Sequence, residues 1–199
     1  NGTVKKTPDL PQYDSGSVVG LKASPAAGFK FADWSGDAAG TTDSIAIIMS
    51  DAKSITASFT PLTYQLTVSA ASGGTITAPA SSQATVNHGA ATTITATPDA
   101  GYRFTGWTVP SGTATLEDAE SASTTVTLSA GNATVSASFT RITFQLTVNT
   151  AAGGTITAPA PSPATVNYGA ATTITAAPVA GYSFNQWVIT SGNANILDS

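Results

Sequence analysis

Few side chains in this sequence are of the kind that do chemistry. It holds one histidine, His88, and no cysteine. Nucleophilic catalysis needs a histidine or its equivalent beside a serine or cysteine. His88 sits in an Asn-His-Gly turn, and in the other two copies of a repeat described below its position is taken by Ser15 and Tyr168. A repeated catalytic role therefore does not fit, and His88 is expected as an exposed turn residue. Paired carboxylates could do glycosidase work, and Glu117, Asp118 and Glu120 stand close together. They fall in a stretch with no counterpart in the first copy, as a solvated loop would. Asp33, Asp37 and Asp43 surround the segment WSGDAAGTTD, an oxygen-rich loop of a kind that can hold calcium. Their spacing matches neither an EF-hand nor a calcium-binding nonapeptide. The Gly-Gly-Thr turns at 73–75 and 153–155 lead into strands, so they are not phosphate loops. The expectation is no catalytic residue, no cofactor-binding residue, no metal ligand and no cofactor.

Composition narrows the classes further. Of 199 residues only 9% are charged, against about a quarter in ordinary globular domains. Hydrophobic residues make up 41%, enough for packed cores and too many for a disordered chain. A net charge of −4, with seven scattered lysines and arginines, leaves no extended basic face, so nucleic acid is not an expected partner. No apolar run reaches the roughly 18 residues that span a bilayer. The sequence does not open on a signal peptide, so an export signal is expected to lie outside it.

The elements that would position any site are repeats. The segment YQLTVSAASGGTITAPASSQATVNHGAATTITATPDAGYRFTGW begins at Tyr64, and FQLTVNTAAGGTITAPAPSPATVNYGAATTITAAPVAGYSFNQW begins at Phe144. Tyr64 and Phe144, Gly101 and Gly181, and Trp107 and Trp187 are each 80 positions apart without a gap. A diverged copy, YDSGSVVGLKASPAAGFKFADW, precedes them at 13–34 and closes with DAKSITASFT, which parallels GNATVSASFT at 131–140. The expected domains are 1–60, lacking a counterpart of the Tyr64 strand; 64–140, complete; and 144–199, lacking the C-terminal strands. The links TPLT and TRIT are short and free of glycine, so they should be stiff. The 199 residues are expected to be a piece of a longer array.

Alternation of period two marks the strands. Tyr64, Leu66, Val68 and Ala70 fall on one face with polar residues between them, and so do Ile94 and Ala96, Val126 and Leu128, and Val135, Ala137 and Phe139. Threonine and valine suit such positions. Turn residues at 73–74, 87–89, 99–101 and 130–132 punctuate them. About six or seven short strands in roughly 80 residues predict an all-β fold of tandem small sandwich-like repeat domains.

The run P-x-A-G-(F/Y)-x-F-x-x-W occurs three times, as PAAGFKFADW, PDAGYRFTGW and PVAGYSFNQW. In a regular strand Phe104 and Trp107 would face opposite sides; a bulge near Gly106 would bring them together. Trp34, Trp107 and Trp187 could be a sugar-stacking platform, but they are the bulkiest side chains in domains with little else to bury, and a core role is expected.

The first copy resembles the divergent internalin B-repeat family of bacterial surface proteins. The resemblance lies in a G-Y-x-F-x-x-W segment, a Gly-Asp turn and a closing strand, carried here by Gly28, Phe31, Trp34, Gly36, Asp37, Met49, Asp51, Lys53, Ile55, Ala57 and Phe59. The second copy keeps Gly101, Tyr102, Phe104, Trp107, Ala137 and Phe139 without the Gly-Asp turn. The resemblance implies a tandem extracellular module of secreted or surface-anchored bacterial proteins. It also brings in a β-grasp with a helix as the alternative fold. The function expected is a stalk or spacer that projects or links adhesive domains; the alternatives are a glycan- or protein-binding adhesin module, and an extracellular filament subunit completed by strand exchange. The partners expected are neighbouring repeats or like chains, with a cell-surface glycan or protein as the further candidate. The location expected is secreted or on the bacterial cell surface.

Overall fold

The structure, a computed structural model, describes residues 1–197, and among them the chain forms strands and no helix. The β-grasp alternative, which needs a helix, therefore falls. The first repeat supplies β1 (Gly2–Thr7), β2 (Val18–Pro25), β3 (Phe29–Gly36), β4 (Ser44–Ile48) and β5 (Ile55–Pro61). The second supplies β6 (Thr63–Ala70), β7 (Gly74–Ala78), β8 (Gln83–Asn87), β9 (Ala91–Pro98), β10 (Tyr102–Ser111), β11 (Thr115–Leu116), β12 (Ser123–Thr127) and β13 (Ala133–Arg141). The third supplies β14 (Thr143–Leu146), β15 (Gly154–Ala158), β16 (Ala164–Asn167) and β17 (Thr175–Pro178).

The second repeat is a sandwich of two four-stranded sheets, ordered β10-β13-β6-β8 and β11-β12-β9-β7. β13 runs parallel to β6, with Val135 opposite Val68, while β6 and β8 are antiparallel. Alternation decides what meets between the sheets. Leu66, Val68, Val86, Trp107, Val135 and Ala137 come from one sheet, Ile94, Ala96 and Val126 from the other, and Leu128 from the end of β12, all in one buried cluster. Full burial of each valine, leucine or isoleucine contributes about 1.5–3 kcal/mol. The threonines between them face outward along β7 and β9, where the Thr77 and Thr97 hydroxyls lie 3.4 Å apart.

In the first repeat the same pattern gives sheets β1-β2-β4 and β3-β5 around Val19, Leu21, Ala23 and Trp34. In the third repeat β14 pairs with β16 and β15 with β17, both antiparallel. β11 is a strand that period-two reading overlooks, because its two residues, paired with Thr127 and Val126, are too few to show alternation.

The chain divides into two compact units, Asn1–Asp99 with Phe104–Thr140, and Ala100–Arg103 with the chain from Arg141 on. Within the first unit a single residue, Leu62, separates β5 from β6. Its N–H donates to the Gly28 carbonyl at 2.7 Å, and its own carbonyl accepts from the His88 N–H at 2.8 Å. The second unit repeats the arrangement. The Ile142 N–H donates to the Gly101 carbonyl at 2.8 Å, and the Tyr168 N–H donates to the Ile142 carbonyl at 2.9 Å. Neither link is free backbone.

Candidate functional site

The aromatic boxes form as the bulge requires. On β3 and β5, Phe31 pairs with Phe59 and Trp34 with Ala57, so three steps along one strand match two along the other. That extra residue turns both rings inward. Their centroids are 5.3 Å apart, and the Phe104–Trp107 and Phe184–Trp187 pairs repeat the contact at 5.6 and 5.3 Å. Trp34 is 3% and Trp107 4% exposed. Each indole N–H is satisfied inside its own repeat, by the Thr42 carbonyl at 2.9 Å and the Ser121 carbonyl at 3.0 Å. Rings so enclosed cannot stack on a sugar. Trp187 departs from the expected equivalence and is only half-buried. In the second repeat the cover is Val126, Leu128, Val135 and Ala137, and no counterparts of these are among the 199 residues.

The acidic residues are occupied by their own loops. Asp118 Oδ1 accepts from the backbone N–H of Glu120 at 2.9 Å and of Ser121 at 3.2 Å, and Glu117 Oε2 accepts from the Thr125 hydroxyl at 2.8 Å. These two carboxylates and that of Glu120 are exposed. Asp37 faces the start of β5: its Oδ2 accepts from the Ser54 N–H at 2.6 Å, and its N–H donates to the Ser54 carbonyl at 2.9 Å. Asp43 pairs with Lys22 at 2.7 Å, and that hydrogen bond holds its carboxyl below the usual range. Asp51 is lowered in the same way, first by Lys53 and then by Ser50. Among the described residues no group of three or more potential ligands is placed to hold a metal ion.

His88 is not the exposed turn residue the sequence suggests. It is half-buried, its Nδ1 lies 3.2 Å from Tyr64 Oη, and its ring rests against Gly28 of the preceding repeat. Burial from across a repeat boundary leaves no mark in local periodicity. The available signal was a ring-bearing residue, His88 or Tyr168, before the turn glycine in two of three copies. Gly112 is a turn position that the sequence reading passed over. The second repeat lacks the Gly-Asp pair near its tryptophan, yet Gly112, at φ +75°, lies against the Asn132 carbonyl just as Gly36, at φ +92°, lies against that of Ser54. The longer β10 moves this glycine from two residues beyond the tryptophan to five.

The geometry thus positions cores, turns and links. The sequence matches a family described as "Divergent InlB B-repeat domain" three times in tandem, over residues 1–63, 64–143 and 144–199. No curated protein matches the chain, and no solved structure does.

Proposed function

Because the chain belongs to the divergent InlB B-repeat family over its whole length, a repeat domain of bacterial surface and secreted proteins, we propose that it serves as a spacer. It holds another domain of an extracellular protein away from the cell without itself performing chemistry. The observation that carries this reading is the link. The first and second repeats are joined through one residue, Leu62, whose N–H and C=O are both hydrogen-bonded, so the connection is less free than a flexible linker. The low charge and threonine-rich outer faces suit a solvated extracellular surface more than a recognition site.

A second reading, an adhesive module for a glycan or protein, draws on four aromatics of the second unit, Phe144, Tyr168, Tyr182 and Phe184, which are 49–62% exposed. Replacement separates the two. The 199 residues are exchanged, in the surface protein that carries them, for an unrelated stiff β-repeat array of equal length, and adhesion of whole cells is measured. A spacer predicts full restoration by the foreign array. Adhesion lost with the foreign array and regained only with these repeats would establish the adhesive module instead.

A further inference from the structure

The residue before each turn glycine, Ser15, His88 or Tyr168, is unassigned by the spacer reading, and in the first unit His88 stands where two consecutive repeats meet ring to backbone. Gly28 ends the P-x-A-G turn of the first repeat with φ +81°, and a Cβ there would lie 2.7 Å from His88 Cδ2 and 3.2 Å from Cγ. Within the second unit Gly101 has φ +83°, and a Cβ there would lie 3.0 Å from Tyr168 Cδ1 and 3.4 Å from Tyr168 Cβ. Two different rings, one cationic when protonated and one phenolic, thus rest on equivalent glycines. Gly181 has the same left-handed backbone, φ +87°, with nothing within 4 Å. The positive φ therefore belongs to the turn itself, and the ring contact is a separate demand for glycine.

We propose that the P-x-A-G turn of the first repeat is a socket for the second, and that the flat ring of His88 is the knob that fixes the angle between them. Four contacts meet at the joint around Gly28. Leu62 is held at both its N–H and its C=O, the His88 ring covers the glycine, and Tyr64 Oη reaches His88 Nδ1 from the side. Two backbone hydrogen bonds alone would act as a hinge about the linker; a planar group packed beside them removes the remaining rotation. Ser15, the first repeat's residue at this position, has no ring, so a repeat of that type could follow another by backbone contacts only. The joint is independent of what the array is for, and it would stand equally in a spacer and in an adhesin.

The chain has no cysteine, which allows spin labels at two introduced ones. Ala46→Cys and Thr105→Cys place labels at exposed positions of the first and second repeats, and electron–electron dipolar spectroscopy gives the distance distribution between them. The parent chain should show one narrow distance. His88→Ser, the residue of the first repeat, should broaden it roughly twofold and speed exchange of the Leu62 and residue-88 amides about tenfold, with the Leu66 and Ile94 amides unchanged. His88→Tyr, the residue of the third repeat, should preserve both. Gly28→Ala should shift the distance more in the parent than in the His88→Ser background, where the backbone cost of the left-handed turn remains but no ring stands in the way of the new methyl group. An unchanged width and unchanged exchange in His88→Ser, or equal losses in His88→Ser and His88→Tyr, would overturn the joint.

Discussion

Trp107 shows how much a single side chain holds in a repeat of this size. Its ring lies 5.6 Å from Phe104, which in turn meets Phe139 edge-on at 5.9 Å, and its N–H ends on the Ser121 carbonyl. Trp107→Ala should therefore cost about 3–5 kcal/mol in urea unfolding, a large part of the ~5–15 kcal/mol typical of a domain. Trp187→Ala, at a half-buried position, should cost clearly less; equal losses would mean that burial does not govern these rings. Ionisable groups set a second expectation. The Asp43 and Asp51 carboxyls are held below 3.8 by hydrogen bonds from Lys22 and Lys53. A carboxyl lowered on folding contributes stability above its unfolded value and loses it as pH falls through the folded value. The first repeat should thus lose stability as pH drops below about 4, and Asp43→Asn with Asp51→Asn should flatten that decline in thermal melts. Both carboxyls are exposed, so the effect should be small and should shrink further in high salt.

Elements are held by turns that local sequence describes only in part. Gly36 and Gly112 keep left-handed backbones against the carbonyls of Ser54 and Asn132, where a Cβ would overlap the oxygen. Alanine at either should cost about 1–3 kcal/mol for the backbone, and more for the overlap. Gly89→Ala has the same conformational cost, at φ +71°, with nothing within 4 Å, so the excess loss in Gly112→Ala measures the close approach. Parity losses between these variants would show that the carbonyl contact adds nothing. The inward faces of β6, β9, β12 and β13 were legible in the sequence, because Leu66, Ile94, Val126 and Val135 alternate with polar residues on strands buried on one side. A bulge was legible too: it was expected near Gly106 from the spacing of Phe104 and Trp107, and its equivalent in the first repeat lies between Phe31 and Trp34. What the sequence hid depended on distant chain. β11 forms only because β12 pairs with it, the parallel pairing of β13 with β6 joins residues 67 positions apart, and His88 is covered from another repeat. No window of neighbouring residues contains those partners.

For the whole molecule the family match over residues 1–63, 64–143 and 144–199 and the recurrence of one link at Leu62 and Ile142 make number of repeats the natural variable. A spacer adds reach with each repeat, while an adhesive module adds binding sites at little change in position. The most direct measurement displays arrays of increasing repeat number on a bacterial surface, each tipped with the same fluorophore, and locates the tip relative to the cell envelope by super-resolution microscopy. The account predicts an equal increment in mean tip distance for every repeat added, with no rise in retention of glycans or matrix proteins. A tip distance independent of repeat number, with retention climbing in step, would contradict it.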